Sequence, residues 1–319
     1  MKRFILSCTA LLVSFTAFAQ NPDKALIRVL YTFNHIQDTM NRDKPRMENM
    51  LLVAGKNASV YTSYDKINQS ANALKQIQEQ IKNSGGGPMQ IKIDKSSSRP
   101  ITRTDNYFFA KENKFITIEN LFNNYLIEET APQIDWKILK DTMSFSGILC
   151  QKATAHFKGR NWIGWYAPDM PFQSGPWKLN GLPGLIIEAY DDKKEVQFLF
   201  AGTEQPGAAA EKAAAAGNIT GPSGGPIMLG GMDNNIYSGS DVKLPADGIK
   251  TTQKAFDKLK ETRDKDPQGF MKAQMAARGI NTANISIRQG TPPPGASGPA
   301  GAPRPAGVIN NPIELPERK

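Results

Sequence analysis

Few side chains in this sequence could act as nucleophiles, general bases or metal ligands, and their spacing matches no standard site. The chain has two histidines, His35 and His156, and two cysteines, Cys8 and Cys150. A Ser-His-Asp triad needs one of these histidines, and neither lies in a recognisable catalytic motif. Cys150 and His156 would share one strand face, but they are six residues apart, which is about 20 Å in a regular strand, too far to bind one ion. We therefore predict no catalytic residue, no metal site and no cofactor.

Common catalytic and nucleotide-binding motifs are also missing. The sequence has no G-x-S-x-G, H-E-x-x-H or P-loop motif, and the glycines of residues 181–184 lack the spacing of the dinucleotide fingerprint. The formal net charge is +9, but the basic residues are scattered rather than clustered as on a nucleic-acid-binding face. We therefore expect no nucleic-acid partner and attribute the charge to solubility, with contact to an anionic lipid or glycan as the weaker alternative.

The elements that must position the remaining side chains are mostly strands. Helical spacing of apolar residues predicts a helix over 65–83 and more helix over 251–278, with a break near Pro267. We predict a mainly β (α+β) fold, a single curved antiparallel sheet domain with helical additions and Gly/Pro-rich insertions. Apolar and β-branched runs predict strands or strand pairs over 24–34, 48–53, 58–64, 106–110, 114–119, 123–128, 136–140, 145–165, 184–190 and 195–201.

The amino-terminal residues have the pattern of a secretory signal peptide. Lys2 and Arg3 precede an apolar stretch from Phe4 to Phe18, and Ala17-Phe18-Ala19 fits the small-x-small cleavage pattern before Gln20. This stretch is shorter than the ~20 apolar residues that a membrane-spanning helix needs. No second hydrophobic span follows, so we expect an exported protein, periplasmic or secreted, that is not transmembrane.

Residues 162–188 combine aromatic side chains, glycines and prolines at high density. Prolines restrict the backbone at several positions of the segment 167–183, which predicts an ordered loop between two strands. Its large side chains could close the end of the sheet, or the loop could form the rim of a ligand cleft. We predict that Trp165, which precedes the loop, and Trp177, which lies within it, are at least half buried against the sheet. The candidate binding residues are Trp162, Trp165, Tyr166, Asp169 and Trp177.

This segment also resembles a known family. The hexapeptide Gly181-Leu182-Pro183-Gly184-Leu185-Ile186 spells the name of the GLPGLI family, or Porph_ging family, of exported Bacteroidetes proteins. The resemblance extends to further blocks and implies the compartment and the fold, but no catalytic residue, because the family has no settled activity. We therefore treat the hexapeptide as a structural signature. The further blocks are residues 48–64, 136–153, 157–160, 162–171 and 310–314.

The signal-peptide pattern, the resemblance and the segments outside it together predict a domain layout. Residues 1–19 form the signal peptide, and residues 20–289 form a GLPGLI-type β-rich domain with insertions near 66–100 and 202–240. Residues 290–319 form a Pro/Gly-rich tail that ends in a short family-like segment. We expect residues 205–235 and 290–307 to be mobile, because they can bury little apolar surface.

Two Asp-Thr-Met triplets, Asp38–Met40 and Asp141–Met143, are similar to the short O-glycosylation motif of exported Bacteroidetes proteins. Such a triplet is also typical of a turn that an aspartate initiates. The sequence leaves both interpretations open.

Three functions fit these observations. The first is a non-enzymatic binding or carrier module of the cell envelope, whose partner could be a lipid, a glycan or an envelope protein. The second is an envelope hydrolase or peptidase without a recognisable motif, and the third is an envelope assembly or protein-interaction factor. A solvent-open apolar cleft would favour the first, an acid–base pair with perturbed pKa the second, and a flat exposed apolar patch the third.

Overall fold

The computed structural model describes residues 23–83, 101–206, 241–277 and 309–317. The predicted signal peptide, with Cys8, lies outside the described residues. So do residues 84–100 and 207–240 of the predicted insertions, and the predicted mobile tail 290–307.

The described residues form fourteen strands and three helices. The helices are α1 (Tyr64–Asn83), α2 (Gln253–Lys265) and α3 (Pro267–Ala277). None of the three is long and apolar enough to cross a membrane. The strands are β1 (Asp23–Lys24), β2 (Ile27–His35), β3 (Arg46–Ala54), β4 (Ala58–Ser63), β5 (Asp105–Phe109), β6 (Lys114–Leu121), β7 (Asn123–Thr130), β8 (Lys137–Phe145), β9 (Ile148–Phe157), β10 (Arg160–Ala167), β11 (Leu185–Asp191), β12 (Val196–Glu204), β13 (Asp241–Val242) and β14 (Ile249–Thr251).

Twelve of the strands form one open sheet, in the order β14-β7-β6-β5-β4-β3-β2-β12-β11-β10-β9-β8. The prediction of a mainly β fold is confirmed. The prediction of a single antiparallel sheet is wrong in two respects, because β14 is parallel to β7, and β1 pairs with β13 in a separate sheet. Hairpin turns force neighbouring strands to be antiparallel, whereas the long connection before β14 imposes no such direction.

Local signals explain how these elements begin and end. Residues 55–57 form the predicted turn between β3 and β4, where the Gly55 amide donates to the Ala58 carbonyl. The Ser63 hydroxyl accepts a hydrogen bond from the Lys66 amide and so caps the start of α1. The second helical region is divided at Pro267, as predicted, because proline starts a helix well but cannot continue one.

The two faces of the large sheet carry different cores. One face, which we call the loop face, carries the side chains of Tyr31, Leu52 and Phe198, and the loop residues Leu179 and Leu182 pack against them. The opposite face carries Leu51, Val53, Val60, Tyr107 and Ile116, with Ile67 of α1 packed on it. Strand alternation accounts for this division, because consecutive residues of β3 point to opposite faces.

The loop face has a second, smaller core near the end of the sheet that β7 and β14 form. Phe256 of α2 is almost fully buried against Tyr125 and Ile127 of β7. The strand register places Ile127 on the same face as Tyr61, through the opposed pairs of β4 to β7. The part of the loop face between the two cores is therefore flanked by the loop on one side and by α2 on the other.

Candidate functional site

A cleft of about 290 Å³ lies on the loop face between these two cores. Apolar side chains from the central strands line one part of it, and polar side chains from β5, β6 and the residues before β5 line another. The loop, the carboxy-terminal segment and α2 contribute the rest. The lining residues are Phe33, Met50, Tyr61, Thr102, Thr104, Asn106, Thr117, Glu119, Glu129, Trp177, Lys178, Phe198, Gln253, Ile313 and Glu314.

The polar part of the cleft follows directly from the strand register. Tyr61, Asn106 and Thr117 lie opposite one another on β4, β5 and β6. Neighbouring strands are about 4.8 Å apart, so a phenol, an amide and a hydroxyl form one row across the sheet. Glu119 and Thr104 follow one step further along, and their side chains are hydrogen bonded to each other.

The Tyr61 hydroxyl is the most unusual group of the cleft. Tyr61 is only 4% exposed, and its hydroxyl has no hydrogen-bond partner among the described residues. Burial, with the nearby Tyr31 and Glu48, raises the pKa of Tyr61 well above its ordinary value. The phenol therefore stays protonated, and its O–H group donates to no acceptor in the described chain. Leaving such a group unpaired costs about 1–3 kcal/mol.

Trp177 forms the aromatic rim of the cleft in a strained backbone conformation. Its φ of 54° lies in the left-handed region, which costs a bulky residue about 1–3 kcal/mol unless the surroundings impose it. Here the Trp162 ring packs against the Trp177 ring at 5.7 Å between centroids, and Phe157 does so at 5.9 Å. The predicted burial of Trp165 and Trp177 is confirmed, since Trp165 is buried and Trp177 is largely so.

The loop that carries Trp177 is held in place by the signature hexapeptide. The Leu185 amide donates to the Met170 carbonyl, and the Ile186 amide donates to the Ser174 carbonyl. The Tyr31 hydroxyl donates to the Ile186 carbonyl at 2.5 Å. Since Leu182, Leu185 and Ile186 are buried as well, these residues join the loop to the core of the sheet.

The two glycines of the hexapeptide have different structural roles. Gly181 has a φ of 88°, in the left-handed region that favours glycine. Gly184 has no such φ, but a Cβ atom there would overlap the Ala167 carbonyl group. Gly184 is thus required for a close backbone approach, and β11 begins one residue later, at Leu185.

The other candidate binding residues lie outside the cleft lining. Trp162 is fully buried and stacks on Phe198 beneath Trp177. Trp165 packs against Phe145 on the other side of the sheet from Trp162, and the Tyr166 hydroxyl donates to Gln151. Asp169 is exposed. Of the five candidates, Trp177 alone lines the cleft.

The charged groups of the cleft are mainly acidic. The lining includes Glu119, Glu129 and Glu314 but, among the described residues, a single cation, Lys178. The Lys178 ammonium lies 2.8 Å from Glu314 and 3.9 Å from Glu129, so carboxylates already neutralise it. Burial raises the pKa of Glu119, and the carboxylates of Asp257 and Asp105 add to this effect against the opposing influence of Lys260 and Thr104.

The carboxy-terminal segment 309–317 reaches the cleft because a buried arginine holds it. Arg160 is 3% exposed and donates to the Asn311 side chain and to the carbonyls of Pro312 and Ile313. Asp191 neutralises Arg160 at 2.7 Å. Ile313 and Glu314 are thereby placed in the cleft wall.

Cys150 and the histidines are not arranged for catalysis or metal binding. Cys150 is fully buried, and burial, with a contribution from Glu188, raises the pKa of its thiol to about 11. His35 contacts the Asn311 carbonyl, and His156 contacts Asn161 and Glu317. Within the described ranges, no three His, Cys, Asp or Glu residues lie close enough to hold a metal ion.

The two Asp-Thr-Met triplets lie at the surface in different settings. In the first, Asp38 accepts a hydrogen bond from the Met40 amide, which is the aspartate-initiated turn that the sequence allows. The Thr39 hydroxyl donates to Asn310. The second triplet lies on the exposed strand β8.

Comparison with known proteins adds little to this picture. No family model matches the chain, and no curated protein matches it. Among solved structures, two crystal structures of PNGF-II, in space groups P21 and C2, are similar, with TM-scores of 0.44 and 0.43 and 9% sequence identity in each case. Each similarity covers 73% of this chain and 32% of the solved chain. This chain thus spans about a third of the length of the structures it matches.

Proposed function

We propose that this protein is an exported cell-envelope protein of the GLPGLI type that acts as a non-enzymatic binding or carrier module. Its ligand occupies the loop-face cleft. The observation that carries the proposal is the Tyr61 hydroxyl, a buried donor without a partner in the described chain that lines this cleft. Buried polar groups are normally paired, so an orphaned one in the wall of a cleft is explained by a ligand that pairs with it.

The rim of the cleft supports the same proposal. Trp177 keeps a strained backbone conformation that the packing of its ring on Trp162 and Phe157 imposes. Backbone strain concentrates at binding sites, where surrounding structure imposes it. The loop is also fixed before any ligand arrives, through the hydrogen bonds of Leu185 and Ile186, which lowers the entropy cost of binding.

One observation favours a hydrolase as the second candidate function. Glu119 lines the cleft with a pKa raised by burial, as a general acid requires, and Asp257 acts on it. Two further carboxylates line the cleft, Glu129 and Glu314, and both lie beside the Lys178 ammonium. Glu119 lies opposite Tyr125, whereas Glu129 is four residues further along β7, so the backbone positions of Glu119 and Glu129 are about 13 Å apart at the usual strand rise.

Native mass spectrometry of the protein purified from its own cell envelope tests the proposal. We expect a co-purifying mass on the wild-type chain, whose amino terminus should be Gln20. The Tyr61→Phe variant removes one oxygen and should carry much less of it. Tyr190→Phe, a matched change on the opposite side of β11 from the cleft, should carry as much as the wild type. A wild-type chain found only at its own mass would contradict the proposal.

The same preparation separates the hydrolase from the binding module. Glu119→Gln keeps the size of the side chain and its hydrogen bonding but removes the acid. In a binding module this variant should retain the co-purifying molecule unaltered. If the wild type carried a cleaved form of that molecule and Glu119→Gln carried the intact form, the second candidate would be the correct one.

A further inference from the structure

The chemistry of the cleft identifies the class of its ligand. We infer that the cleft binds an uncharged saccharide unit, one ring of which lies against Trp177 while its hydroxyl groups pair with the polar row of the sheet. This inference rests on the proposed binding function and goes beyond it, because a carrier in the cell envelope could equally take a lipid or a peptide.

The polar row requires a ligand with many hydrogen-bonding groups. Tyr61 offers a donor, Asn106 offers both an acceptor and two donors, and Thr117 offers a hydroxyl of either role. The row therefore matches groups that donate and accept at once, as sugar hydroxyls do. An acyl chain in this position would leave each of these groups unpaired, at a cost in free energy that its own burial would not offset.

The rim of the cleft and the adjoining carboxy-terminal segment supply the apolar contacts that a sugar ring also needs. Trp177 presents a large aromatic surface whose position is fixed by Trp162 and Phe157. Ile313 of the carboxy-terminal segment lies in the same lining. A pyranose ring has one or two faces made of C–H groups and an equator of hydroxyls, so it can contact the aromatic ring and the polar row at once.

The charge of the cleft excludes anionic ligands. Besides Glu119, whose acidity burial weakens, its lining holds the carboxylates of Glu129 and Glu314. Among the described residues it holds the single ammonium of Lys178, which is already paired with Glu314. A phosphate or a carboxylate would meet net repulsion here, and the described lining has no arginine to bind it in the bidentate manner typical of such sites. Anionic lipid headgroups, nucleotides and uronic acids are therefore poor ligands.

The size of the cleft fits a small unit rather than a long chain. Its volume of about 290 Å³ is at the lower end of the range for small-molecule sites. Three of its lining side chains, Glu129, Gln253 and Glu314, are exposed at its mouth. A terminal sugar ring can thus enter while the remainder of a longer glycan stays in solvent.

Titration calorimetry with matched sugars tests the inference. The chain without residues 1–19 is titrated with glucose and glucuronic acid, with galactose and galacturonic acid, and with N-acetylglucosamine and its β-1,4-linked disaccharide. The first two pairs differ only in the carboxylate. We expect at least one neutral sugar to bind, and its acidic counterpart to bind at least about tenfold more weakly.

Variants locate the binding and keep the test decisive. Tyr61→Phe should weaken the binding of that sugar by about three- to tenfold, the usual value of one hydrogen bond, and Trp177→Ala should abolish it. Tyr190→Phe should leave it unchanged. The inference would be overturned if an acidic sugar bound as strongly as its neutral partner, or if Tyr61→Phe bound the sugar as strongly as the wild type.

The two experiments also distinguish the saccharide assignment from the binding function. If no sugar binds but native mass spectrometry shows another molecule that Tyr61→Phe loses, the saccharide assignment fails and the binding function stands. If neither experiment shows a ligand, both fail.

Discussion

Single residues of the loop determine whether the cleft has a rim at all. The prolines of the segment 167–183 predict an ordered loop, because they leave the unfolded chain less freedom to lose, and the structure confirms this. The glycines contribute differently, by allowing a positive φ or a close backbone approach. The sequence does not reveal which of Gly181 and Gly184 is needed for a positive φ and which for a close backbone approach. Gly184 is needed because the Ala167 carbonyl approaches it, and that approach depends on how β10 and β11 pair.

Substitutions at the two glycines distinguish these roles. Gly184→Ala should lower the free energy of unfolding by about 2 kcal/mol or more, because the new Cβ overlaps backbone atoms that cannot move cheaply. Gly181→Ala should cost about 1 kcal/mol, since a Cβ there meets nothing within 4 Å and only the positive φ opposes it. The exposed change Lys193→Ala should be within about 0.5 kcal/mol of the wild type in urea denaturation. Equal stability of Gly184→Ala and Lys193→Ala would contradict the close-approach explanation.

The two histidines should affect the pH dependence of folding stability in opposite directions. Burial lowers the pKa of His35 below its ordinary value of 6.5, and the charges of Arg160 and Arg46 reinforce this against the effects of Asn311 and Asp191. Hydrogen bonds to Asn161 and Glu317 raise the pKa of the exposed His156 above 6.5. As the pH falls below about 6.5, His35 becomes protonated in the unfolded chain but stays neutral in the folded protein. Protonation therefore favours the unfolded state, and His35 lowers the free energy of unfolding at acidic pH. His156 does the reverse, because its stabilising contribution is present below 6.5 and is lost as the pH rises through its folded pKa.

Thermal denaturation between pH 5 and pH 8 should therefore separate the variants. His35→Gln should lose less stability on acidification than the wild type, and His156→Gln should lose more. These are the only histidines of the chain, so few other side chains titrate in this window. Parallel pH curves for the wild type and His35→Gln would mean that His35 is not held in its neutral form.

At the scale of elements, the hairpins were predictable and the carboxy-terminal contact was not. The turns after β3 and β11 have local signals, and the predicted strands are found there. Residues 309–317 have no periodicity of their own, and they lie on β2 and β10 through bonds between residues about 150–276 positions apart. The one available signal was the resemblance of Asn310–Glu314 to the closing segment of a family, which says nothing about where that segment packs.

Neighbouring asparagines of this segment provide a matched pair of variants. Asn311 is buried, accepts from Arg160 at 2.6 Å, and donates to the Ile36 carbonyl and to Glu195. Asn311→Ala should reduce the free energy of unfolding by about 2–4 kcal/mol, because it leaves a buried charged group less well paired. Asn310→Ala removes only exposed hydrogen bonds to Asp38 and Thr39 and should cost less than about 1 kcal/mol. Chemical denaturation of both variants measures the difference, and equal losses would show that Arg160 does not anchor the segment through Asn311.

At the scale of the whole molecule, the sequence predicts the class of fold better than the shape of the site. Period-two alternation predicts the strands, but the cleft depends on the order of strands in the sheet, which places β5 and β6 beside β4 and opposite the loop. The sequence alone therefore does not mark the polar residues of the cleft as candidate site residues, because each is an ordinary polar residue of a strand or loop. These residues are Thr104, Asn106, Thr117 and Glu119. The burial of Trp177 was predictable because large aromatic side chains seldom stay in solvent. Its position in the cleft was not, because the sequence allowed the loop either to close the end of the sheet or to form the rim of a cleft.

A second surface of the molecule is relevant to the third predicted function, an assembly or interaction factor. β8 forms one edge of the sheet, and Ile138, Met143 and Leu149 on β8 and β9 are 45%, 47% and 57% exposed. Exposed apolar side chains on an edge strand are typical of contact with another chain. A binding module and an interaction factor therefore differ in which part of this sheet a partner covers.

Hydrogen–deuterium exchange locates that contact and tests the central claim most directly. The purified protein is exchanged alone and with a detergent-free extract of its own cell envelope, and Tyr61→Phe is treated in the same way. A ligand in the cleft should protect residues 101–119, 172–180 and 309–317 in the wild type, and less so in Tyr61→Phe. Protection confined to residues 137–149, or protection of the cleft segments that is identical in Tyr61→Phe, would contradict the assignment of the loop-face cleft as the binding site.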